Sequence, residues 1–430
     1  MEIILPVSIL IVLLLAGVSV SYAVAAAGTV GLVLLVGLDS SLVVMREVAY
    51  SNVSNYLFTT IPMFILMAEF LNNSSLIDEI FEAAHRWLAG TKGGLAFATT
   101  LANGGMAALS GSSTASAAAM ANVAVPQMQK RGYDDRLSLG TVAAAGTFAI
   151  TIPPSIGLIV YGVITETSIA QLFTAGIIPG IITLIGYGAV IYLWGYSNPE
   201  VFGSIEEEYT LREKIESSLI IWPAVIIVIL VLGSMYAGIV TPTEAGAMGA
   251  TGTFLVGVVL SDLRYSGIKN AFQNTANITT MIFMIIIGAV IFGRYMAYSG
   301  LVQEFIQWIV ALPIGSFWIM AILMTVYIFM GTMMDQTAIL ILTLPITFPL
   351  ALRLGYDPIW FGILIAKTIE IGLVTPPLGL NVYVASGTLD MSPTVGFQGA
   401  IRFLPVDIAF IALLLIFPEI VTEWPSIVFP

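Results

Sequence analysis

Apolar stretches alternate along this chain with short polar islands, and most are long enough to approach the ~30 Å hydrocarbon core of a bilayer. Residues 3 to 16, 22 to 44 and 57 to 72 read as the first membrane helices. Leu76 to Ala89 is different, because Ile77, Ile80, Phe81, Ala84 and Leu88 keep a helical period among Asp78, Glu79, Glu82 and Arg86. That pattern predicts an amphipathic helix in the interface, an arm over residues 76–89. An almost uncharged run then extends from Gly93 to Gln129 around the polar island Leu109-Ser-Gly-Ser-Ser-Thr-Ala-Ser116. As one helix it would be roughly 55 Å long at 1.5 Å per residue, so it must break, and Ser110-Gly-Ser-Ser113 is the place. Either two spans meet in a surface turn, or residues 93–130 form a re-entrant hairpin with its tip at membrane depth. The arms, about 16 residues each, are short for spans that need ~20. Irregular backbone at that depth survives only where protein or a polar cavity satisfies it, so a hairpin tip would mark a binding site.

The next apolar run, Leu137 to Ile164 within a segment 136–164, is interrupted by Thr151-Ile-Pro-Pro-Ser155. Two prolines remove two amide donors and push the preceding residue away from helix, so the helix opens there or at least kinks. A span near Phe173 to Tyr196 leads to a charged linker over residues 197–216, the best internal boundary. Beyond the linker the chain repeats its first half. Gly132-Tyr-Asp134 recurs as Gly355-Tyr-Asp357, Pro126 as Pro349, and Pro153-Pro154 as Pro376-Pro377, all at an offset of 223 residues. Leu76, Glu79 and Gly90 are matched by Leu301, Glu304 and Gly315 at an offset of 225. The second half, 217–430, is thus expected to contain an arm at 300–312, a hairpin at 315–353 with its tip in Gly331-Thr-Met-Met-Asp-Gln-Thr337, and a broken helix at 358–386. The first half is 1–196.

Charge decides the relative orientation of the halves. If the first hairpin enters from the cytoplasm, Arg86, Lys92, Lys130, Arg131, Arg136, Arg212, Lys214, Arg264, Lys269 and Arg402 lie inside, while only Arg46, Arg294 and Arg353 lie outside and Lys367 falls within a span. This positive-inside bias puts both termini outside and makes the halves inverted repeats, a pattern of secondary transporters. With 58 % hydrophobic and 9 % charged residues and a mean hydropathy of +0.99, the chain is an all-α polytopic membrane protein. The net charge of −12, partly from Glu206-Glu-Glu208, argues against a nucleic-acid partner. Cysteine is absent and His85 is the single histidine, which excludes disulfides, thiolate metal sites and cysteine nucleophiles and argues against a histidine metal cluster. The N-terminus lacks a basic region and reads as a membrane helix, not a cleaved signal.

In a pseudo-symmetric fold the two tips and the two proline-opened helices meet. Freed carbonyls with serine and threonine hydroxyls suit sodium, and opposing helix N-termini suit an anion. The first half offers Ser110, Gly111, Ser112 and Ser113 with Thr147, Thr151, Pro153 and Ser155. The second offers Gly331, Thr332, Asp335 and Thr337 with Glu370, Gly372, Thr375 and Pro376. A first sodium site is expected from Ser110, Gly111, Ser112, Ser113, Thr151 and Pro153, and a second from Gly331, Thr332, Asp335, Thr375 and Pro376. Ser112, Thr114, Ser155, Thr337 and Asn381 are the candidates for the solute. Plainer roles stand beside these: Ser113, Thr114 and Asp335 as N-caps, Thr241-Pro-Thr-Glu244 as a capping box, Lys367 and Glu370 as a neutralising pair three residues apart, and the methionines as packing.

Several runs together carry a family resemblance: Ala108-Leu-Ser-Gly-Ser-Ser-Thr-Ala-Ser-Ala-Ala-Ala119, Pro153-Pro-Ser-Ile-Gly-Leu-Ile-Val-Tyr-Gly162, Ala175-Gly-Ile-Ile-Pro-Gly180, Pro242-Thr-Glu-Ala245 and Thr375-Pro-Pro-Leu-Gly379. In combination, over nearly the whole chain, they resemble the large membrane (permease, DctM-type) subunit of TRAP transporters. The resemblance implies an elevator-type fold like that of the ion transporter superfamily, in a bacterial inner membrane. It implies sodium as coupling ion with no other cofactor, and uptake of an organic acid such as sialic acid or a C4-dicarboxylate. The implied partners are a periplasmic substrate-binding protein and a small four-helix membrane subunit, expected as a separate chain. No chemical step is expected. A stand-alone sodium-coupled carboxylate carrier of similar fold is the alternative, told apart by whether a binding protein is needed.

Overall fold

A computed structural model describes residues 4–203 and 209–429, and every described element is helical. Among the described residues, five helices are long and apolar enough to cross a membrane, or up to eight if each bent pair counts as one span. Glu206, Glu207 and Glu208, and with them the middle of the expected linker, lie outside the described residues.

The arms and hairpins follow the apolar pattern closely. An amphipathic helix spans Leu76–Leu88 and buries Leu76, Ile77, Ile80, Phe81 and Ala84. The first hairpin is Gly94–Ser110 followed by Ser113–Lys130, and the second is Ser316–Gly331 followed by Gln336–Arg353. Three elements differ from the sequence reading. The apolar run 22 to 44 is two helices, Val20–Val36 and Leu38–Val53, because Gly37 takes a φ of 80° between them. The broken helix of the first half has a second interruption at Gly146–Thr147, giving Asp135–Ala145, Phe148–Thr151 and Ile156–Thr165. The linker is shorter than 197–216, since Thr210 and Glu213 form a capping box that starts a helix at Leu211. That helix lies along Leu76–Leu88, where Trp87 Nε1 donates to Ser218 Oγ at 2.6 Å.

The halves are interleaved. At the 223-residue offset, Val20–Val36 corresponds to Pro242–Leu260, and Thr60–Asn72 falls within Tyr265–Tyr298. Val20–Val36 packs on Tyr265–Tyr298, and Thr60–Asn72 packs on Pro242–Leu260, so each contact joins one helix from each half and the two contacts are images of one another. Small residues permit the approach, as at Gly28 and Gly31, where an added methyl would collide with Phe292 and Tyr295. The hairpins obey the same exchange. The second arm of the first hairpin, Ser113–Lys130, packs on Leu380–Thr388, while its image Gln336–Arg353 packs on Ile156–Thr165. Each hairpin therefore leans on the broken helix of the other half, and this brings both tips to one place. Pro358–Leu373 lies at the centre, with every residue from Trp360 to Leu373 buried.

The arms are less alike than their sequences. Leu301–Val310 buries only Val302 and leaves Phe305 and Trp308 exposed, and an apolar cavity of about 720 Å³ separates it from the second hairpin. Both arms are amphipathic, so the difference resides in packing.

Candidate functional site

Both chain breaks in each half are clasped by one backbone hydrogen bond. Ile156 N donates to Gly111 O at 3.2 Å, and its image residue Gly379 N donates to Thr332 O at 3.1 Å. Gly111 has a left-handed φ of 61°, and a methyl there would lie 2.8 Å from Pro154 O, so this tip needs glycine for its turn and for the close approach. The Pro153–Pro154 and Pro376–Pro377 peptides are both cis.

The tips line one cavity of about 150 Å³. Gly111, Ser112, Ser113 and Thr114 form one wall and Asp335, Gln336 and Thr337 the facing one; Ile156, Gly157 and Leu373 also line it, with Ile278, Met281 and Ile282 of the long helix Tyr265–Tyr298. Two helix N-termini thus face the same small space. They differ in how they are capped. Ser112, and not Ser113 or Thr114, is the N-cap of Ser113–Lys130, and its side chain makes no cap bond, so the first amides remain open to an anion. Asp335 does cap Gln336–Arg353, its Oδ1 accepting from Thr337 N at 2.9 Å, which puts a carboxylate at the second tip.

Of the residues singled out from sequence, Gly111, Ser112, Ser113, Thr114, Asp335 and Thr337 line this cavity. The others stand behind it. Ser110 Oγ is bonded to Ser116 Oγ at 2.7 Å, Thr332 Oγ1 donates to Phe329 O at 2.8 Å, and Thr375 Oγ1 to Ile371 O at 2.5 Å. Gly331 lies in backbone contact with Gly372. Ser155 is buried as the N-cap of Ile156–Thr165, accepting from Leu158 N, and does not line the cavity. Nor does Asn381, which is fully buried under the first tip and donates to Ser113 Oγ at 2.6 Å and Ala143 O at 3.2 Å. Both are expected from sequence at the solute, and both are buried next to residues that line the cavity, Ser155 before Ile156 and Asn381 against Ser113.

Thr151, expected at the first cation site, donates its hydroxyl to Glu370. Glu370 belongs to a buried ionic cluster in which Lys367 donates to Glu370, to Asp407 Oδ1 at 3.2 Å and to Thr183 Oγ1 at 3.1 Å, while Tyr187 donates to Asp407 Oδ2 at 2.7 Å. All three charged side chains are at most 1 % exposed. The i, i+3 spacing of Lys367 and Glu370 is visible in sequence, but Asp407, forty residues beyond Lys367, has no local signal. Gln336 lines the cavity but is not among the residues singled out from sequence, although the 223-residue offset pairs it with Ser113.

Comparison with known proteins places the chain in a family. Residues 7–420 match the family described as "Tripartite ATP-independent periplasmic transporter, DctM component". The chain belongs to that family. It is similar to the C4-dicarboxylate TRAP transporter large permease protein DctM of Rhodobacter capsulatus, 32 % identical with 97 % of this chain and 98 % of that one covered. It is also similar to the sialic acid TRAP transporter large permease protein SiaM of Vibrio cholerae, 27 % identical with 87 % of each covered. The crystal structure of the Alcanivorax borkumensis YdaH transporter shares the fold, with a TM-score of 0.65 over 90 % of both chains at 13 % identity. The DctM-family chain is accordingly a transporter component and a polytopic membrane protein.

Proposed function

We propose that this DctM-family chain is the permease of a sodium-gradient-driven importer in a bacterial inner membrane, carrying an organic acid handed over by a periplasmic binding protein and working beside a small four-helix membrane subunit. The observation that carries this reading is the meeting of two hairpin tips, one from each half, on one small polar cavity. The open N-terminus at Ser112 favours a carboxylate, and the carboxylate of Asp335 favours a cation next to it. Sodium ions that balance the charges of the acid and of Asp335 lower the cost of holding both at membrane depth. Transport is then an elevator movement of the hairpins and broken helices against the helices 20–36, 60–72, 242–260 and 265–298, with the two tips and what they hold carried past Ile278, Met281 and Ile282.

The test is reconstitution in proteoliposomes with the small subunit and binding protein, offering succinate, N-acetylneuraminate and isethionate in turn. Uptake of one acid is expected under an inward sodium gradient, to need at least two sodium ions and to vanish without the binding protein. Full activity of the isolated chain would favour the stand-alone carrier. Uptake driven by a proton gradient in sodium-free buffer would reject sodium as the coupling ion.

The inverted-repeat part of the proposal has its own check. With both termini periplasmic and the linker cytoplasmic, reporter fusions at residue 207 and at the C-terminus are expected on opposite sides of the membrane. Fusions reporting one side would refute the inversion.

A further inference from the structure

The strongest unassigned group at the cavity is the side-chain amide of Gln336. It lines the cavity, is only 7 % exposed, and its Nε2 is buried without a hydrogen-bond partner. A buried donor left unpaired costs roughly 1–3 kcal/mol, so an amide in this position calls for a partner that the protein itself does not supply.

The internal symmetry shows why the protein does not supply it. At the 223-residue offset Gln336 is the image of Ser113, and Asn381 is the image of Leu158. At the first tip, Ser113 and Asn381 meet and bond at 2.6 Å. At the second, Gln336–Arg353 packs on Ile156–Thr165, and the position that would answer Gln336 is a buried leucine whose side chain can neither donate nor accept. The amide rests instead against Gly157, where a methyl would fall 1.9 Å from Nε2. Glycine at 157 leaves the room in which this side chain lies along the cavity wall.

We infer that Gln336 is a specificity-determining residue of the carrier, its amide N–H donating to an acceptor oxygen of the solute at the end away from the anionic group held by the open amides after Ser112. The first tip then reads the charge common to all organic acids, and Gln336 reads the oxygen that distinguishes one from another. A site built to hydrogen-bond such an oxygen rejects analogues lacking it, because the amide is then left buried and unpaired. This inference rests on the cavity being the solute site, as proposed above.

The experiment uses the complete reconstituted system and whichever of succinate, N-acetylneuraminate and isethionate it carries best. Gln336→Leu is expected to raise the solute half-saturation by about tenfold or more. Gln336→Glu, which sets a carboxylate against the acid, should raise it further. Gly157→Ala should reproduce the loss by pushing the amide off the wall while leaving residue 336 unaltered, and it stands in if a variant at 336 does not fold. Thermal unfolding in detergent checks that the variant folds, and uptake separates the alternatives, since a glutamine with no role toward the solute predicts that Gln336→Leu leaves uptake intact. That result, or a Gln336→Glu variant as active as the parent, overturns the inference while the transport reading stands. A parent system that carries none of the three acids overturns the reading of the cavity itself, and this inference with it.

Discussion

Lys367→Met is expected to lower the stability of the folded chain by about 3–5 kcal/mol, enough to leave little protein in a monodisperse state after extraction. The lysine is completely buried and its three N–H groups are all used, on Glu370, Asp407 and Thr183. Removing it strands two fully buried carboxylates without their shared cation, and an unpaired buried charge is what makes breaking such a cluster costly. The cluster also joins distant parts of the chain, since Thr183 and Tyr187 lie on Ile169–Ser197, Asp407 on Leu404–Ile416, and Thr151 on the first broken helix. A triple replacement, Lys367→Met with Glu370→Gln and Asp407→Asn, removes all the charges together and should recover most of the loss. Size-exclusion profiles and thermal unfolding in detergent measure both. A single variant melting within a few degrees of the parent would mean that the cluster is not held as a dry ionic unit.

The features legible in sequence and those hidden from it divide along a physical line. Breaks in helices are local: glycine, proline and serine act on their neighbours within a turn, so Ser110–Ser113 and the two Pro-Pro pairs are legible, as is the capping box Thr241–Glu244. The same local signals exist at Gly37 and Thr210, where they are masked by a long apolar run and a run of charges. Internal repetition is legible too, because an offset of 223 needs only comparison of the chain with itself. It does not disclose that the halves exchange contacts. Nothing local to Asn381 shows that Leu380–Thr388 packs against the first hairpin, where its amide meets Ser113. Asp407 is hidden for a related reason, since a buried acid on an apolar helix announces itself only when its lysine is seen in space.

Asp335→Asn is expected to raise the sodium concentration for half-maximal uptake by on the order of tenfold, the factor that corresponds to ~1.4 kcal/mol of lost attraction. The substitution separates two roles of this residue. As the N-cap of Gln336–Arg353 its side chain accepts from Thr337 N, and asparagine caps as well as aspartate does, so the helix start and the fold should persist. The charge at the second tip disappears, and with it the one acid among the described residues lining the cavity. Ser112→Ala should act more weakly at the first tip, because the backbone there retains its amides and carbonyls. Ser110→Ala should be weaker still as a cation effect, given that the Ser110 hydroxyl is already taken by Ser116. If the cations bind in two related places, one per half, Asp335→Asn should also flatten the steepness of the sodium curve while the thermal transition in sodium-free buffer stays that of the parent. Initial uptake against sodium concentration, with choline replacing sodium at constant ionic strength, gives both numbers. A curve superimposable on the parent's for Asp335→Asn would place the second cation away from this tip, and one shifted equally by all three substitutions would point to a single shared site between the hairpins.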